Sequence, residues 1–431
     1  MKTIVAKELE IYLCKTLFKG GYTDKLESRL REKSHRLKQE LGLGEEPVQF
    51  GYDRASRSRT IKFSGIAGTV SFDAYQIEIM PKFYAADDKW RESMFNFIYI
   101  ARSGRIRPQR ASGLRQSRLS FYDHIALMFA ESMEYALSRD NIQQYRTVDG
   151  ASPYLRGRLM LTEQVRGLFA HPGQLYYEQN VLSGDNAFNY LLRWCTDALS
   201  SMVRNPEIKR RLLILRAVLP RTSSFFKIPV DEQLPPQYQH YREAVQIANN
   251  LAAGISASHQ QAGKDGYGYV MAMAAVYEKF IEKTLKQLSF GGRSFVVEPQ
   301  ARSLFAAARE PGMKSFYTIP DNKVSFDGKP QLLIDAKYKN NFMDNAGKKP
   351  ANSDAYQLFA SLVSHGCRRG VLISPCDGAV RTCSKIWEIN AGGESYIIAL
   401  ILLNLHDVST NAAFAALKRD LEEEIVKIIT Y

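Results

Sequence analysis

The sequence is poor in cysteine and has no pair at metal-binding spacing. Its five cysteines (Cys14, Cys195, Cys367, Cys376 and Cys383) form no C-x-x-C, so they read as ordinary buried thiols of a protein kept in a reducing compartment. A G-x-x-x-x-G-K-[ST] phosphate loop is also missing, so any nucleotide motor must be another chain and this one is expected to bind no nucleotide itself. The most apolar run, "YIIALILLNL" from Tyr396 to Leu405, is about half of the roughly 20 residues a membrane-spanning helix needs and reads as a buried strand. The N-terminal "MKTIVAKELEIYLCK" interrupts its apolar residues with charge and offers no cleavage site. The expectation is a cytoplasmic protein with no membrane partner. Internal repeats and low-complexity tracts are absent.

What is present is a globular composition. Of 431 residues, 45% are hydrophobic and 24% charged, enough for two or three domains with their own cores. The formal net charge of +13 favours polyanionic partners such as nucleic acid, although ribosomal, membrane-surface and merely soluble proteins reach similar values.

Along the chain the pattern changes twice. In the first third, "TDKLESRLREKSHRLKQELGLG" predicts a helix capped by Thr23 or Asp24 and stopped near Gly42. "PVQFGYD", "RTIKFSG" and "GTVSFDAYQIEIMPKF" predict a small antiparallel β-unit. Two amphipathic helices follow, and between them "RSGRIRPQRASGLRQSR" carries six arginines and no acid. Arg102, Arg105, Arg107 and Arg110 in this arm are candidates for contact with DNA phosphates or with an acidic partner face, against a simpler reading as a solvated basic loop. From about residue 151 apolar residues recur at helical spacing. Gly254 to Gly268 reads as a linker. Beyond it, helices alternate with short strands as in an α/β domain. The predicted class is a mixed α+β and α/β multidomain protein, divided at 1–150, 151–255 and 256–431.

The chemistry concentrates in "IPDNKVSFDGKPQLLIDAKYKN". Strand alternation places Asp335, Lys337 and Lys339 on one face of a strand that is otherwise apolar, where each charge is costly unless paired or bound to metal. Asp321 lies on the preceding strand. A two-residue turn at Asp327-Gly328 sets Asp321 opposite Ile334, on the wrong face. A three-residue loop, Asp327 to Lys329, sets it opposite Asp335. Facing carboxylates about 5 Å apart would repel unless a cation lay between them. Their pairing therefore predicts the three-residue loop and a hard divalent ion, Mg²⁺ or Mn²⁺. Lys337 beside them would position the attacking water, help deprotonate it, or stabilise charge on a phosphate.

Pro320-Asp321 followed by Asp335-Ala336-Lys337 resembles the PD-(D/E)xK signature of restriction-endonuclease-like nucleases. That resemblance implies Asp321 and Asp335 as metal ligands and Lys337 as the catalytic lysine. Glu278, on the helix "VYEKFIEK", stands where many such enzymes carry a further acidic ligand; an exposed helical glutamate is the alternative. Tyr356 and Gln357 resemble the glutamine motif of the RecB-like branch, a supporting or DNA-contact role, with core packing competing for Tyr356.

More widely, "YQIEIMPKF", "YLRGRLMLTEQVRG", "NVLSGDNAFNYLLRWCTDAL", "VYEKFIEKTL" and "LLIDAKYKN" resemble, in order, the McrC family, the nuclease subunit of McrBC-type modification-dependent (5-methylcytosine) restriction systems. The first 45 residues and the arginine arm are outside that resemblance. It implies a Mg²⁺-dependent endonuclease acting on double-stranded DNA, methylated or not, in antiviral defence, and as partner an McrB-like AAA+ GTPase hexamer that recognises modified DNA. It further implies an N-terminal β-rich docking region, a helical connecting region and a C-terminal nuclease domain. A stand-alone RecB-like repair nuclease and a non-catalytic basic DNA-binding scaffold are the rival readings.

Overall fold

A computed structural model describes residues 2–72, 75–85, 89–106, 119–167, 170–223, 226–228, 230, 232–256, 269–310, 312–339, 349–376 and 380–431. The protein is a mixed α/β chain with several sheets, and it divides into two compact units. One comprises Met1–Arg118 together with Ala257–Tyr431; the other is Leu119–Ser256. No helix among the described residues is long and apolar enough to cross a membrane. Cys14, Cys195 and Cys367 are buried free thiols; Cys376 and Cys383 are partly exposed.

The first unit begins with a four-stranded sheet. Lys2–Lys7 runs parallel to Tyr75–Met80, which pairs antiparallel with Ile66–Phe72, and that strand takes Tyr269–Ala272 on its far side. The last pairing explains why this unit is discontinuous in sequence: a strand from the C-terminal third completes a sheet begun near residue 2. Gly68 permits the close approach, because a Cβ there would stand 2.1 Å from the Tyr269 carbonyl oxygen. Beside this sheet Ile11–Leu13, Ser58–Phe63 and Val48–Asp53 form a three-stranded antiparallel layer. The helix Asp24–Glu40 lends Leu26, Leu30 and Leu37 to the same core as Val48, Ile61 and Phe63. Of the two residues proposed from sequence as its cap, Thr23 accepts from the Leu26 N–H.

The larger sheet of this unit has six strands in the order Phe295–Pro299, Asn322–Phe326, Lys329–Ala336, Arg369–Cys376, Glu394–Asn404 and Cys383–Ala391. The three central strands are mutually parallel. Parallel neighbours need a crossover, and the helix Asn352–His365 supplies it between Lys329–Ala336 and Arg369–Cys376. It ends at Gly366, whose φ of 60° suits the left-handed C-terminal cap. Leu358 and Leu362 pack from this helix onto Leu333, Leu372, Ile398 and Leu400. The helix Asn411–Thr430, capped by Thr410, packs on the outer strands. The helix Met273–Leu285 faces Trp90–Ser103, with Phe97 and Phe280 stacked 4.4 Å apart. N-terminal and C-terminal segments thus share one core.

The second unit joins Phe121–Leu137, Ala187–Met202, Pro206–Val218 and Arg242–Ser256 into a helical cluster. Ser120 and Asp123 form a reciprocal cap on the first of these helices. It also carries a three-stranded sheet of Gln144–Ser152, Leu175–Ser183 and Arg158–Leu159. Helical periodicity overlooked this sheet, because its strands are largely solvated and lack a clean apolar alternation. The sequence-based division at 150/151 falls inside Gln144–Ser152, and the one at 255/256 falls at the end of Arg242–Ser256.

Candidate active site

The hairpin that presents the acidic pair differs from the one expected. Phe326 pairs with Lys329, so the turn is the two-residue Asp327-Gly328 and not a three-residue loop. Both turn residues have positive φ, 49° and 75°, the mirror-image turn that matches strand twist. The register then shifts: Ser325 pairs with Pro330 but Val324 with Leu332, leaving Gln331 as an extra residue. Beyond it Lys323 opposes Leu333 and Asn322 opposes Ile334, and the next position outward sets Asp321 against Asp335. The expected pairing of carboxylates arises, by a bulge instead of a longer loop. An Asp-Gly pair is the strongest short hairpin signal, whereas a bulge leaves no local mark on the sequence.

Asp321 follows the buried Pro320 and accepts from the Ala336 N–H at 2.7 Å. Its backbone carbonyl accepts from Gln300 N–H at 2.9 Å. Burial, then the negative charges of Asp335 and Glu278, push its pKa up to about 8. Asp335, 6% exposed, is the penultimate residue of the Lys329–Ala336 strand and meets the Lys337 ammonium at 2.6 Å. Lys337 is itself buried; its N–H donates to the Ile373 carbonyl at 2.8 Å, extending the pairing with the next strand. Its Nζ also lies 3.3 Å from Gln357 Oε1 and 3.4 Å from Asp354 Oδ1. Burial opposes the charged ammonium, but Asp335, Asp354 and Asp321 together outweigh it and raise the Lys337 pKa.

Glu278, half-buried on Met273–Leu285, joins this group electrostatically. Burial and then the Asp335 charge raise its pKa, against the pull of Lys337 and Lys279. An isolated exposed helical glutamate would not feel those charges. Gln357 reaches Lys337 from the first half of Asn352–His365. Tyr356 is 69% exposed, so core packing, its competing assignment, is ruled out. Lys339 pairs with Asp354 Oδ1 at 2.5 Å.

Asp354 was not singled out from sequence. It is 1% exposed, binds both lysines through Oδ1, and its Oδ2 has no hydrogen-bond partner. The signal was available: Asp354 and Gln357 are three apart on a helix, hence on one face. Arg102 belongs to the end of the helix Trp90–Ser103, where it donates to the Tyr269 hydroxyl at 3.2 Å, so it is tied to the first unit's own strand. Arg105 is exposed just past the helix end at Gly104; Arg107 and Arg110 lie outside the described residues.

A crowded acidic set with raised carboxyl pKa values fits a hard cation, which would relieve the repulsion. Among the described residues no three acidic, histidine or cysteine side chains are gathered closely enough to cage an ion. Mg²⁺ needs no such cage: it commonly takes one or two carboxylates and completes its shell with water and phosphate oxygens. Asp321 and Asp335 are the residues that fit this demand, with Glu278 adjacent.

Residues 61–375 match the profile of the McrBC 5-methylcytosine restriction system component family. The chain belongs to that family. No curated protein matches it. A chain in a solved structure of Thermococcus gammatolerans McrB AAA+ hexamers with bound McrC has a similar fold, with a TM-score of 0.64 at 17% identity over 98% of this chain and 100% of that one. The structure of the Thermococcus gammatolerans McrBC complex gives a TM-score of 0.45 at 17% identity, over 66% of this chain and 88% of that one. At such identity the likeness is one of fold.

Proposed function

We propose that this McrBC-family chain is the Mg²⁺-dependent endonuclease subunit of a restriction complex, cleaving phosphodiester bonds of double-stranded, methylated DNA in the cytoplasm. The observation that carries the reading is the convergence of Asp321, Asp335 and Lys337 at the ends of adjacent strands, which supports a PD-(D/E)xK assignment for the six-stranded sheet. Asp321 and Asp335 would hold the ion, Mg²⁺ or Mn²⁺, with Glu278 as a further ligand. When bound, the ion supplies charge for the scissile phosphate and a more acidic attacking water.

The chain's own groups do the rest. Lys337, kept protonated by its acidic neighbours, acts as a fixed cation: it orients the water and stabilises negative charge on the phosphate. A general base would need a lowered pKa, so the electrostatic role is the one this environment favours. Asp354 and Gln357 hold the ammonium from the helix Asn352–His365. Tyr356 and Lys339 border the site as DNA contacts, and Arg105, Arg107 and Arg110 are further candidates for DNA or partner contact.

The partner in this reading is an McrB-like AAA+ GTPase hexamer, docked through the N-terminal residues 1–150, whose GTP hydrolysis the chain stimulates. The absent phosphate loop agrees with that division of labour, and so does the similar Thermococcus assembly, in which McrC is bound to McrB AAA+ hexamers. The test is a nicking assay in Mg²⁺ with the neighbouring AAA+ protein and GTP supplied. Cleavage that requires the partner and disappears in Asp335→Asn is the expected result. Cleavage by Asp335→Asn would remove the site assignment, and full cleavage without the partner would favour a stand-alone repair nuclease.

A further inference from the structure

Residues 301–310 and 312–319 take no part in the site described above, yet they carry a sheet of their own. Ser303–Ala306 pairs antiparallel with Phe316–Thr318: Ser303 opposes Thr318, Leu304 opposes Tyr317 and Ala306 opposes Phe316, so Phe305 is an extra, bulged residue. Leu304, Phe305, Met313, Phe316, Tyr317 and Ile319 are all exposed, Phe316 by 70%. A lone two-stranded ribbon is marginal in water, and six large apolar side chains on one ribbon are more than scattered surface residues. The ribbon is nevertheless held in place. At its base Ser303 Oγ donates to the Ser364 carbonyl at 2.6 Å, and Thr318 Oγ1 lies 2.5 Å from Ser364 Oγ. Nearer the tip Ser315 Oγ accepts from the Ala308 N–H at 3.0 Å. Ser364 sits at the end of the helix whose first half carries Asp354 and Gln357.

The charges choose the partner. Arg302, Arg309 and Lys314 alternate with the apolar residues, against a single acid, Glu310. The Arg302 guanidinium lies over the Tyr317 ring at 3.6 Å, which leaves its edges free to donate. Interleaved aromatics and cations suit a nucleic acid, with its phosphates and the apolar thymine methyls on its base edges, better than an apolar protein patch. A two-stranded β-ribbon also fits the roughly 12 Å major groove of duplex DNA. From Thr318 the chain reaches Asp321 in three residues, about 10 Å of extended backbone.

We propose that this ribbon is a DNA-contact element that enters the duplex groove next to the scissile phosphate, with Phe305 and Phe316 touching bases and the three cations on phosphates. The proposal rests on the nuclease reading for the meaning of that position but is tested without cleavage. Binding of a labelled duplex to the full-length chain is measured in EDTA across a salt series. Phe305→Ser with Phe316→Ser should weaken affinity about tenfold with the salt slope kept. Arg302→Gln, Arg309→Gln and Lys314→Gln together should weaken it and flatten the slope by up to about 2.7. Unchanged thermal melting shows that both variants fold. Wild-type affinity in the aromatic variant overturns the proposal, and so does normal DNA binding with lost co-elution of the AAA+ protein, which would make the ribbon a protein-docking surface. Failure of the nuclease reading is seen separately, in the nicking assay of Asp335→Asn.

Discussion

Two buried charge clusters stand back to back on one strand end, and they are built differently. Lys337 faces Asp335 and Asp354. Tyr338, the next residue, turns the other way and donates its hydroxyl to Glu8, 330 residues earlier. Glu8 also accepts from the Gly65 N–H at 2.8 Å and the Lys82 N–H at 3.2 Å. Lys82 in turn places its ammonium 4.1 Å from the Tyr338 ring centroid and donates to the Lys339 carbonyl at 2.8 Å. Every oxygen of Glu8 has a donor. In the Asp321 cluster the carboxylates outnumber the cations at hand, the pKa values of Asp321 and Glu278 are raised by burial and by neighbouring negative charge, and Asp354 Oδ2 has no hydrogen-bond partner. A satisfied cluster is what cements a core; an over-acidic one is what awaits a ligand.

The two clusters should differ most in chemistry. Asp335→Asn or Lys337→Ala should lower cleavage by about 10³-fold, with thermal melting within a few degrees of wild type, as read by nicking and calorimetry on the same samples. Glu8→Ala should do the reverse. Leaving Tyr338 and two N–H groups unpaired costs about 2–4 kcal/mol, seen as a lower urea midpoint, while cleavage by the folded protein should stay within a few-fold of wild type. Removal of residues 1–150 extends this test. It takes Glu8, Lys82 and the sheet partner of Tyr269–Ala272, so the remaining chain is expected to be insoluble and not an independently folded nuclease.

Asp354→Asn lies between the two clusters in kind. It removes charge from Lys337 and Lys339 but keeps the shape, and should reduce kcat about tenfold with KM little changed and the basic limb of the pH profile moved down.

A smaller effect concerns pH. The Asp321 pKa in the fold, about 8, is above the ordinary 3.8, so its contribution to stability is fully present below 3.8 and is lost as pH rises through about 8. In EDTA, melting temperature should fall by a few degrees across that window; Mg²⁺ at pH 8 or Asp321→Asn should remove the fall. Last, Tyr356→Ala should change DNA affinity by a few-fold and melting not at all, since its ring is in solvent.

Local chemistry made much of this legible. The Pro320-Asp321 and Asp335-Ala336-Lys337 motif, the Thr23 cap, the helix stop near Gly42 and the apolar core strands all follow from residue type and spacing over a few positions, and these interactions are short in sequence. What joins distant segments was not legible. Periodicity reports which face of an element is apolar and not which element covers it. The return of Tyr269–Ala272 to the N-terminal sheet, the bond from Tyr338 to Glu8 and the meeting of Glu278 with Asp335 therefore had no signature. The bulge at Gln331 is the instructive case, because the carboxylates were rightly expected to face each other while the turn that does it was not. Sequence alone determined which residues carry the charge and that they must be neutralised. The tertiary structure decided which charges meet, since burial and register are set by pairings hundreds of residues apart.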